Sequence, residues 1–242
     1  MSEQQRPMLE IEASKRQLHF FWVVDHSLSM GGVKIATVNQ AIREVLPEVV
    51  AIAGSNPEVE MFMRAIKFST GADWHVGPAP VPIESFVWPD ISALGATSTA
   101  RAIDLLCDQL EVGNMPRRGI PPVCVLVSDG FCTDAESDYL KAIKRLNELP
   151  WGKKAVRLAI AIGQESEYDE AELLRFVNHP EVGLLKAHTA HELINHIRWA
   201  STETTRTLSQ SVSTPDTAAE GLVLEKPDSD YISVTDVDNE VF

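Results

Sequence analysis

The most constraining feature of the sequence is the stretch 20–30, which reads FFWVVDHSLSM. Five consecutive apolar residues with no polar residue among them are typical of a β-strand that is buried on both faces. The run ends at Asp25, and a glycine pair and a long helical pattern follow it. A buried strand that passes through a polar turn into a helix is typical of an open α/β sheet, which places its ligand sites at the carboxyl ends of its strands.

Strand and helix patterns alternate along the remainder of the chain. Apolar or alternating runs predict strands at 18–25, 58–69, 123–130, 155–162 and 183–186. Helical periodicity predicts helices at 33–53, 135–149, 169–178 and 189–200, with a further helix after residues 95–99. We therefore predict an α/β fold with a doubly wound, mostly parallel central sheet and helices on both faces.

A turn and two proline-containing segments lead to three further expectations. Residues 72–76 are expected to pair with the strand at 58–69 across the turn at Thr70, which gives the sheet one antiparallel edge strand. The proline-rich residues 76–83 are expected to form a surface loop, because proline cannot donate a hydrogen bond within a central strand. Pro47 is expected to kink or split the first helix.

Two helices carry the sequence signature of an N-terminal cap. Thr133 with Glu136, and Thr189 with Glu192, each form a Thr-x-x-Glu pattern at the start of a predicted helix. In a capping box the threonine hydroxyl accepts a hydrogen bond from the backbone N–H of the glutamate, and the glutamate carboxylate accepts one from the backbone N–H of the threonine. We expect both pairs to act in this way.

The composition of the chain changes after residue 200. Ten of the 17 residues from 201 to 217 are Ser or Thr, and acidic residues dominate beyond them. We divide the chain into an N-terminal segment (1–17), a folded domain (18–200) and a C-terminal tail (201–242) that is expected to be flexible. Two hypotheses follow for the tail, a docking segment at 231–237 and phosphorylation by an associated kinase.

The net charge and the hydropathy exclude several kinds of partner. The formal net charge is −14, from 21 basic and 35 acidic residues, whereas nucleic-acid binding relies on an excess of Lys and Arg. No apolar run approaches the roughly 18 residues that span a bilayer, and no secretory signal stands at the N-terminus. We therefore expect a cytoplasmic protein with no nucleic-acid partner and no membrane partner.

Hard oxygen ligands follow or precede three of the predicted elements. Asp25, Ser27 and Ser29 alternate, so their side chains can lie on one side of an extended backbone. Thr97 precedes a predicted helix, and Asp129 follows another buried strand. The carboxyl ends of neighbouring strands lie about 5 Å apart, so these loops can meet at the edge of the sheet. Oxygen ligands of this kind suit Mg²⁺, with Mn²⁺ or Ca²⁺ as alternatives.

These three pieces resemble a von Willebrand factor A (VWA) domain with a metal-ion-dependent adhesion site (MIDAS). The motifs are DHSLS (25–29), GAT (95–97) and SDG (128–130), and the resemblance covers residues 18–200. It implies a Rossmann-like VWA fold and a protein-interaction module that is not an enzyme. In such a module a protein partner supplies a carboxylate that completes the coordination of the cation.

The resemblance also implies a role for each site residue. Ser27 and Ser29 would bind the cation directly, and Asp25 and Asp129 would act largely through bound water. Thr97 would bind directly when a partner is engaged. The family has two glycines before this threonine, whereas the second of them is Ala96 in this chain.

Within this superfamily the chain is most similar to bacterial tellurite-resistance TerY-type proteins. The similarity lies in LPEVV after the first helix pattern, WPDIS before GAT, and VSDGFCTD. It implies a scaffold or regulator that works with a Ser/Thr protein kinase and a PP2C-type phosphatase in a stress or tellurite-resistance system.

Two other functions remain as alternatives. One is a metal-dependent phosphohydrolase with Asp25 as its nucleophile. Such enzymes typically carry a second acid two residues later as the general acid, but this chain has Ser27 there. The other is a recruiting subunit of an ATP-driven machine, which would use the same interaction module.

Overall fold

The computed structural model describes residues 15–129, 131–211, 224–225 and 227. The strands of this part of the chain are β1 (Arg16–Asp25), β2 (Val59–Phe68), β3 (Ala72–Pro82), β4 (Val123–Ser128), β5 (Val156–Ile162) and β6 (Leu185–Ala187). The helices are α1 (Val33–Gly54), α2 (Thr99–Gln109), α3 (Glu136–Glu148), α4 (Pro150–Lys154), α5 (Glu170–Phe176) and α6 (Ala190–Ser211). The short helix α4 has no counterpart in the sequence-based prediction.

The six strands form one sheet in the order β3-β2-β1-β4-β5-β6. All neighbouring strands are parallel except β2 and β3, which are antiparallel at the edge. The predicted doubly wound α/β architecture is therefore confirmed. The chain first moves outward from β1 through β2 to β3, and it then returns to place β4 on the other side of β1. The carboxyl ends of β1 and β4 therefore flank the switch point, where open sheets of this kind bind ligands.

Both faces of β1 are buried, which explains its unbroken apolar run. Phe20, Trp22 and Val24 belong to a core on the α1 and α6 face of the sheet, whereas Phe21 and Val23 belong to a core on the α2 and α3 face. All five are fully buried. Removing this much apolar surface from water fixes β1 in the centre of the sheet and leaves its polar end at the rim.

The edge strand is longer than the sequence predicts. β3 runs to Pro82, so the expectation of a surface loop at 76–83 is wrong. Prolines are tolerated here because β3 pairs only with β2, and its outer side needs no backbone N–H groups. The register between the two strands also shifts on either side of Ala65, and such a bulge accommodates the irregular backbone.

Pro47 does not split the first helix. α1 is continuous from Val33 to Gly54 with Pro47 inside it. The residue is exposed, so the carbonyl group that loses its N–H partner at this position can be hydrated by solvent.

The last helix continues past the predicted domain boundary at residue 200. Residues 201–211, which the composition assigned to the tail, form the final turns of α6. The hydroxyl groups of Ser201 and Thr205 donate to the carbonyls of Ile197 and Ser201, so these polar side chains are satisfied although they are buried. Composition therefore misjudged this segment. Most of the predicted tail, including 231–237, lies outside the described residues, as does most of the segment 1–17.

One of the two predicted capping boxes is present. At the start of α6 the backbone N–H of Glu192 donates to the Thr189 hydroxyl, and the Thr189 N–H donates to the Glu192 carboxylate. At the start of α3 the N-cap is Ala135, without a side-chain cap, so the box at Thr133 is wrong. In the described part of the chain, we find no helix with the length and apolarity that crossing a membrane requires.

Candidate metal centre

Asp25, the last residue of β1, links the ends of two strands. Its Oδ1 accepts a hydrogen bond of 2.8 Å from the backbone N–H of Ser27, and its Oδ2 accepts one of 2.7 Å from the hydroxyl of Ser128 at the end of β4. The side chain is completely buried. Asp25 therefore fixes the start of the DHSLS turn against the neighbouring strand.

Burial determines the ionisation of Asp25. The pKa of its carboxyl group is raised from 3.8 to about 6. Loss of hydration is the main cause and the charge of Asp129 adds to it, whereas the hydrogen bonds from Ser128 and Ser27 oppose the rise. A divalent cation close to the carboxylate would favour the ionised form. The position is therefore suited to a positive ligand.

The other side chains of the motif meet Asp129 directly. The hydroxyl oxygens of Ser27 and Ser29 lie 2.9 Å apart, and the Ser29 hydroxyl donates to Asp129 Oδ1 over 2.7 Å. Asp129 follows β4 and is buried, whereas Ser29 is exposed. Three of the predicted ligands, from two loops that are distant in sequence, thus present their oxygens together at a point that solvent can reach.

Thr97 joins this group of loops through its backbone. Its carbonyl accepts hydrogen bonds of 2.8 and 2.9 Å from the N–H and the hydroxyl of Thr133, in the loop after β4. On the other side, the N–H of Leu28 in the DHSLS turn donates to the carbonyl of Gly95 over 3.1 Å. The Thr97 side chain is buried. The three predicted loops are therefore connected to one another.

The glycine and the alanine before Thr97 have different roles. Gly95 has a φ of +76°, and a Cβ at this position would lie 2.6 Å from the Thr70 hydroxyl oxygen. A glycine is therefore required. Ala96 is exposed, and its N–H donates to the same hydroxyl over 3.1 Å. An alanine thus fits at the position where the resembled family has its second glycine.

Asp134 is a structural residue of this region that sequence reasoning missed. Its carboxylate accepts hydrogen bonds from the Ser98 hydroxyl over 2.6 Å and from the backbone N–H of Ala100 over 2.8 Å. The carboxylate thus satisfies an N–H group in the first turn of α2 from a different loop. It holds the start of α2, and with it the Thr97 loop, against the loop after β4.

Lys34 and Glu167 were also missed. The Lys34 Nζ, from the first turn of α1, donates to Asp129 Oδ2 over 2.8 Å and lies 3.6 Å from Glu167 Oε2. The Lys34 side chain is 14% exposed and that of Asp129 is 1% exposed. Lys34 follows the DHSLS motif closely in sequence, and this proximity could have indicated that it lies near the site. Nothing in the sequence indicated that Glu167 lies at the same edge.

The residues at this edge fit a hard divalent cation. The predicted ligands among them offer hydroxyl and carboxylate oxygens, which Mg²⁺ and Mn²⁺ prefer over softer ligands. Among the described residues, no group of three or more His, Cys, Asp and Glu side chains could hold a metal ion. A cation centre here therefore depends on the serine hydroxyls as well as on the carboxylates.

Solved structures with a similar fold identify the architecture. A von Willebrand factor type A protein from Catenulispora acidiphila superposes with a TM-score of 0.61 at 14% identity, over 80% of this chain and 43% of that chain. The chain has the von Willebrand factor A fold. A variant of the PilB minor pilin from Streptococcus sanguinis gives a TM-score of 0.62 at 11% identity, over 85% of this chain and 65% of that chain.

One further protein bears on the metal. Proximal thread matrix protein 1 from the mussel byssus, with a zinc-occupied MIDAS motif, superposes with a TM-score of 0.55 at 13% identity, over 80% of this chain and 47% of that chain. The MIDAS motif of that protein thus holds a divalent cation. Our chain spans less than half of the length of the byssus and Catenulispora proteins. Identities this low establish the fold alone.

Comparison of the sequence itself gives no assignment. No family model matches the chain, and no curated protein matches it. The motifs at 25–29, 95–97 and 128–130 were therefore the part of the sequence that indicated the VWA fold, and the three-dimensional comparison supplies independent support for that fold.

Proposed function

We propose that this protein is a non-enzymatic interaction module that binds a divalent cation and, through it, a carboxylate of a protein partner. The observation that carries the proposal is the contact between Ser27, Ser29 and Asp129 at the solvent-facing edge of a VWA fold. Two of these three side chains are neutral. When bound, Mg²⁺ would supply a Lewis-acidic centre with affinity for an additional anionic oxygen.

Each site residue has a distinct part in this proposal. Ser27 and Ser29 would hold the cation through their hydroxyl oxygens, and Asp129 would orient the Ser29 hydroxyl, as its hydrogen bond does now. Asp25 would supply negative charge from within the protein and keep the Ser27 backbone in place. Thr97 would join the centre when a partner arrives, and its loop is hydrogen-bonded both to the DHSLS turn and to the loop after β4.

The geometry disfavours the alternative of a phosphohydrolase. The Asp25 carboxylate is completely buried, and hydrogen bonds engage both of its oxygens. A nucleophile needs access to a phosphorus atom and a general acid nearby, whereas Ser27 occupies the position where such enzymes place the acid. We expect no hydrolysis of a phosphate monoester with Mg²⁺ present. Hydrolysis that the Asp25→Asn variant loses would favour the enzyme instead.

Affinity capture tests the proposal itself. The immobilised full chain is incubated with native cell extract in the presence of Mg²⁺, and bound proteins are eluted with EDTA. We expect specific partners that elute with the chelator and that the Ser29→Ala variant fails to retain. Ser137→Ala, an exposed serine on α3, is the matched control and should behave as wild type. The same partners in Mg²⁺ and in EDTA would contradict the proposal.

The finer assignment rests on the sequence resemblance to TerY-type proteins. On that basis we propose a cytoplasmic scaffold or regulator whose partners include a Ser/Thr protein kinase and a PP2C-type phosphatase. The capture experiment distinguishes this from a recruiting subunit of an ATP-driven machine. Retention of a kinase or phosphatase favours the first, and retention of a ring-forming ATPase favours the second.

A further inference from the structure

Lys34 is a cation that the protein itself places at the candidate metal centre. Its Nζ donates to Asp129 Oδ2 over 2.8 Å, and Asp129 Oδ1 accepts from Ser29 on the other side. One carboxylate therefore connects an ammonium group to the hydroxyls that would hold the divalent cation. The resemblance to the VWA family did not lead us to expect a lysine here.

A second carboxylate keeps the ammonium group in place. Glu167 Oε2 lies 3.6 Å from Lys34 Nζ and accepts a hydrogen bond of 3.0 Å from the backbone N–H of Gln164. Gly163, directly after β5, has a φ of +112°, and a Cβ there would lie 2.3 Å from Glu167 Oε2 and 3.4 Å from Lys34 Nζ. The close approach of these two side chains thus requires a glycine at 163.

The backbone of Lys34 is also fixed. The residue lies in the first turn of α1, which packs along its length on the sheet and on α6. With its side chain mostly buried, Lys34 has little freedom to leave the centre for solvent. Its positive charge therefore remains near the site whether or not a divalent cation is bound.

We propose that Lys34 is a positioning residue that weakens the binding of the divalent cation and strengthens the capture of the partner's carboxylate. This inference rests on the proposed function. A fixed positive charge repels an incoming cation and attracts an incoming anion, and both effects are large where water is partly excluded. Without a divalent cation, Lys34 would hold the Asp129 carboxylate in place. With the cation bound, the positive charge of Lys34 would add to the attraction of the centre for an external anion.

Cation binding is the first test, with Mn²⁺ alone as the probe and electron paramagnetic resonance as the measurement. We expect Lys34→Met to bind Mn²⁺ about tenfold more tightly than wild type. Lys34→Arg, which keeps the charge, should remain within about threefold of wild type. Lys141→Met removes an exposed lysine that pairs with Asp138 on α3, and this matched control should not change the affinity. Circular dichroism establishes that each variant is folded.

Carboxylate binding is the second test, with acetate as the probe. At saturating Mn²⁺, acetate binding is followed through the relaxation rate of water protons. We expect Lys34→Met to bind acetate several-fold more weakly than wild type, which is the opposite direction from its effect on Mn²⁺. The two opposite changes distinguish a charge effect from a general loss of structure, since misfolding would weaken both.

The possible results separate this inference from the function on which it rests. If wild type binds Mn²⁺ and Lys34→Met binds it equally or more weakly, the role of Lys34 is wrong and the proposed function survives. If folded Lys34→Met binds Mn²⁺ but wild type does not, Lys34 opposes the cation even more strongly than proposed, and cation-dependent function is wrong. If neither protein binds Mn²⁺, both ideas are wrong. Unchanged acetate affinity would overturn the second half of the inference.

Discussion

Asp25 and Asp129 stand at the ends of neighbouring parallel strands, but different groups balance their carboxylates. Within the described part of the chain, Asp25 accepts hydrogen bonds from neutral donors, the backbone N–H of Ser27 and the hydroxyl of Ser128. Asp129 receives the Ser29 hydroxyl and also the ammonium group of Lys34. Both carboxylates are buried.

Because of this difference, the site can be stable without a ligand and still attract a cation. The negative charge of Asp25 is poorly compensated by the protein, so burial penalises it and a positive ligand would relieve the penalty. The charge of Asp129 is already paired, which stabilises the loop after β4 without any ligand. A cation would therefore gain most from Asp25 and would have to share Asp129 with Lys34.

The largest expected effect is common to both residues. Asp25→Asn and Asp129→Asn should each lower the affinity for Mn²⁺ by at least about 100-fold, because each variant removes a negative charge and disturbs a serine ligand. Isothermal titration calorimetry with Mn²⁺ measures this. The control is Asp138→Asn on the exposed face of α3, which should bind as wild type. If one aspartate variant retained its affinity, that residue would lie outside the centre.

The pH dependence of stability is the next largest effect, and it isolates Asp25. In the folded protein the Asp25 carboxyl group has a pKa of about 6, against an ordinary value of 3.8. Between these pH values the folded state binds more protons than the unfolded state, so the free energy of unfolding should fall as the pH rises. The decrease should be about 2–3 kcal/mol in EDTA. It should level off above pH 6.

Asp25→Asn should remove the contribution of Asp25 to the decrease in the free energy of unfolding with rising pH. Urea denaturation at pH 4, 5, 6 and 7 measures this free energy for both proteins. Burial also raises the pKa of Glu172 to about 7, so that residue contributes a decrease in both proteins. The difference between wild type and variant therefore reports Asp25 alone. Parallel pH profiles for the two proteins would contradict the account of Asp25.

Stability at neutral pH should move in opposite directions in the two variants. At pH 7.5 in EDTA, Asp25→Asn should raise the free energy of unfolding by about 1–2 kcal/mol, because an uncompensated buried charge is removed. Asp129→Asn should lower it by about 1–2 kcal/mol, because Lys34 loses its nearer carboxylate. Changes of the same sign would mean that the carboxylates are balanced alike.

The smallest effect concerns the hydrogen bond between the two strand ends. Ser128→Ala removes the donor to Asp25 Oδ2. That hydrogen bond lowers the pKa of Asp25, so its loss should raise the pKa further and move the midpoint of the stability profile upward by less than about one pH unit. The same urea titrations detect this shift. A downward shift would show that Ser128 does not stabilise the ionised form.

The sequence predicted the contact of Asp129 with Ser29 but not its contact with Lys34. The burial of two strands was enough to place Ser29 and Asp129 at one edge, because the carboxyl ends of parallel neighbours lie together. The extended backbone expected for the motif is wrong, because Leu28–Met30 forms a short 3-10 helix after β1 ends at Asp25. The sequence did not reveal Lys34 or Glu167 as members of the same group. Their contacts depend on the rotation of α1 about its axis and on the path of the loop after β5, which local patterns do not encode.

The errors in the fold have a similar origin. The sequence patterns place the central strands correctly, because a strand buried on both faces must be apolar throughout. β3 and the end of α6 were misjudged, since prolines and a Ser/Thr-rich composition disfavour regular structure on average. At the sheet edge the outer N–H groups need no partner, and in α6 the hydroxyls bond to the helix's own carbonyls. Tertiary position overrode composition in both places.

A crystal structure of the full chain grown with Mn²⁺ tests the central claim most directly, through its anomalous difference map. We expect one strong peak between the hydroxyl oxygens of Ser27 and Ser29 and beside the Asp129 carboxylate, and we expect the Ser29→Ala variant to lose it. An ordered edge of the sheet without a peak, or a peak away from these three side chains, would contradict the claim that two separate loops share one cation.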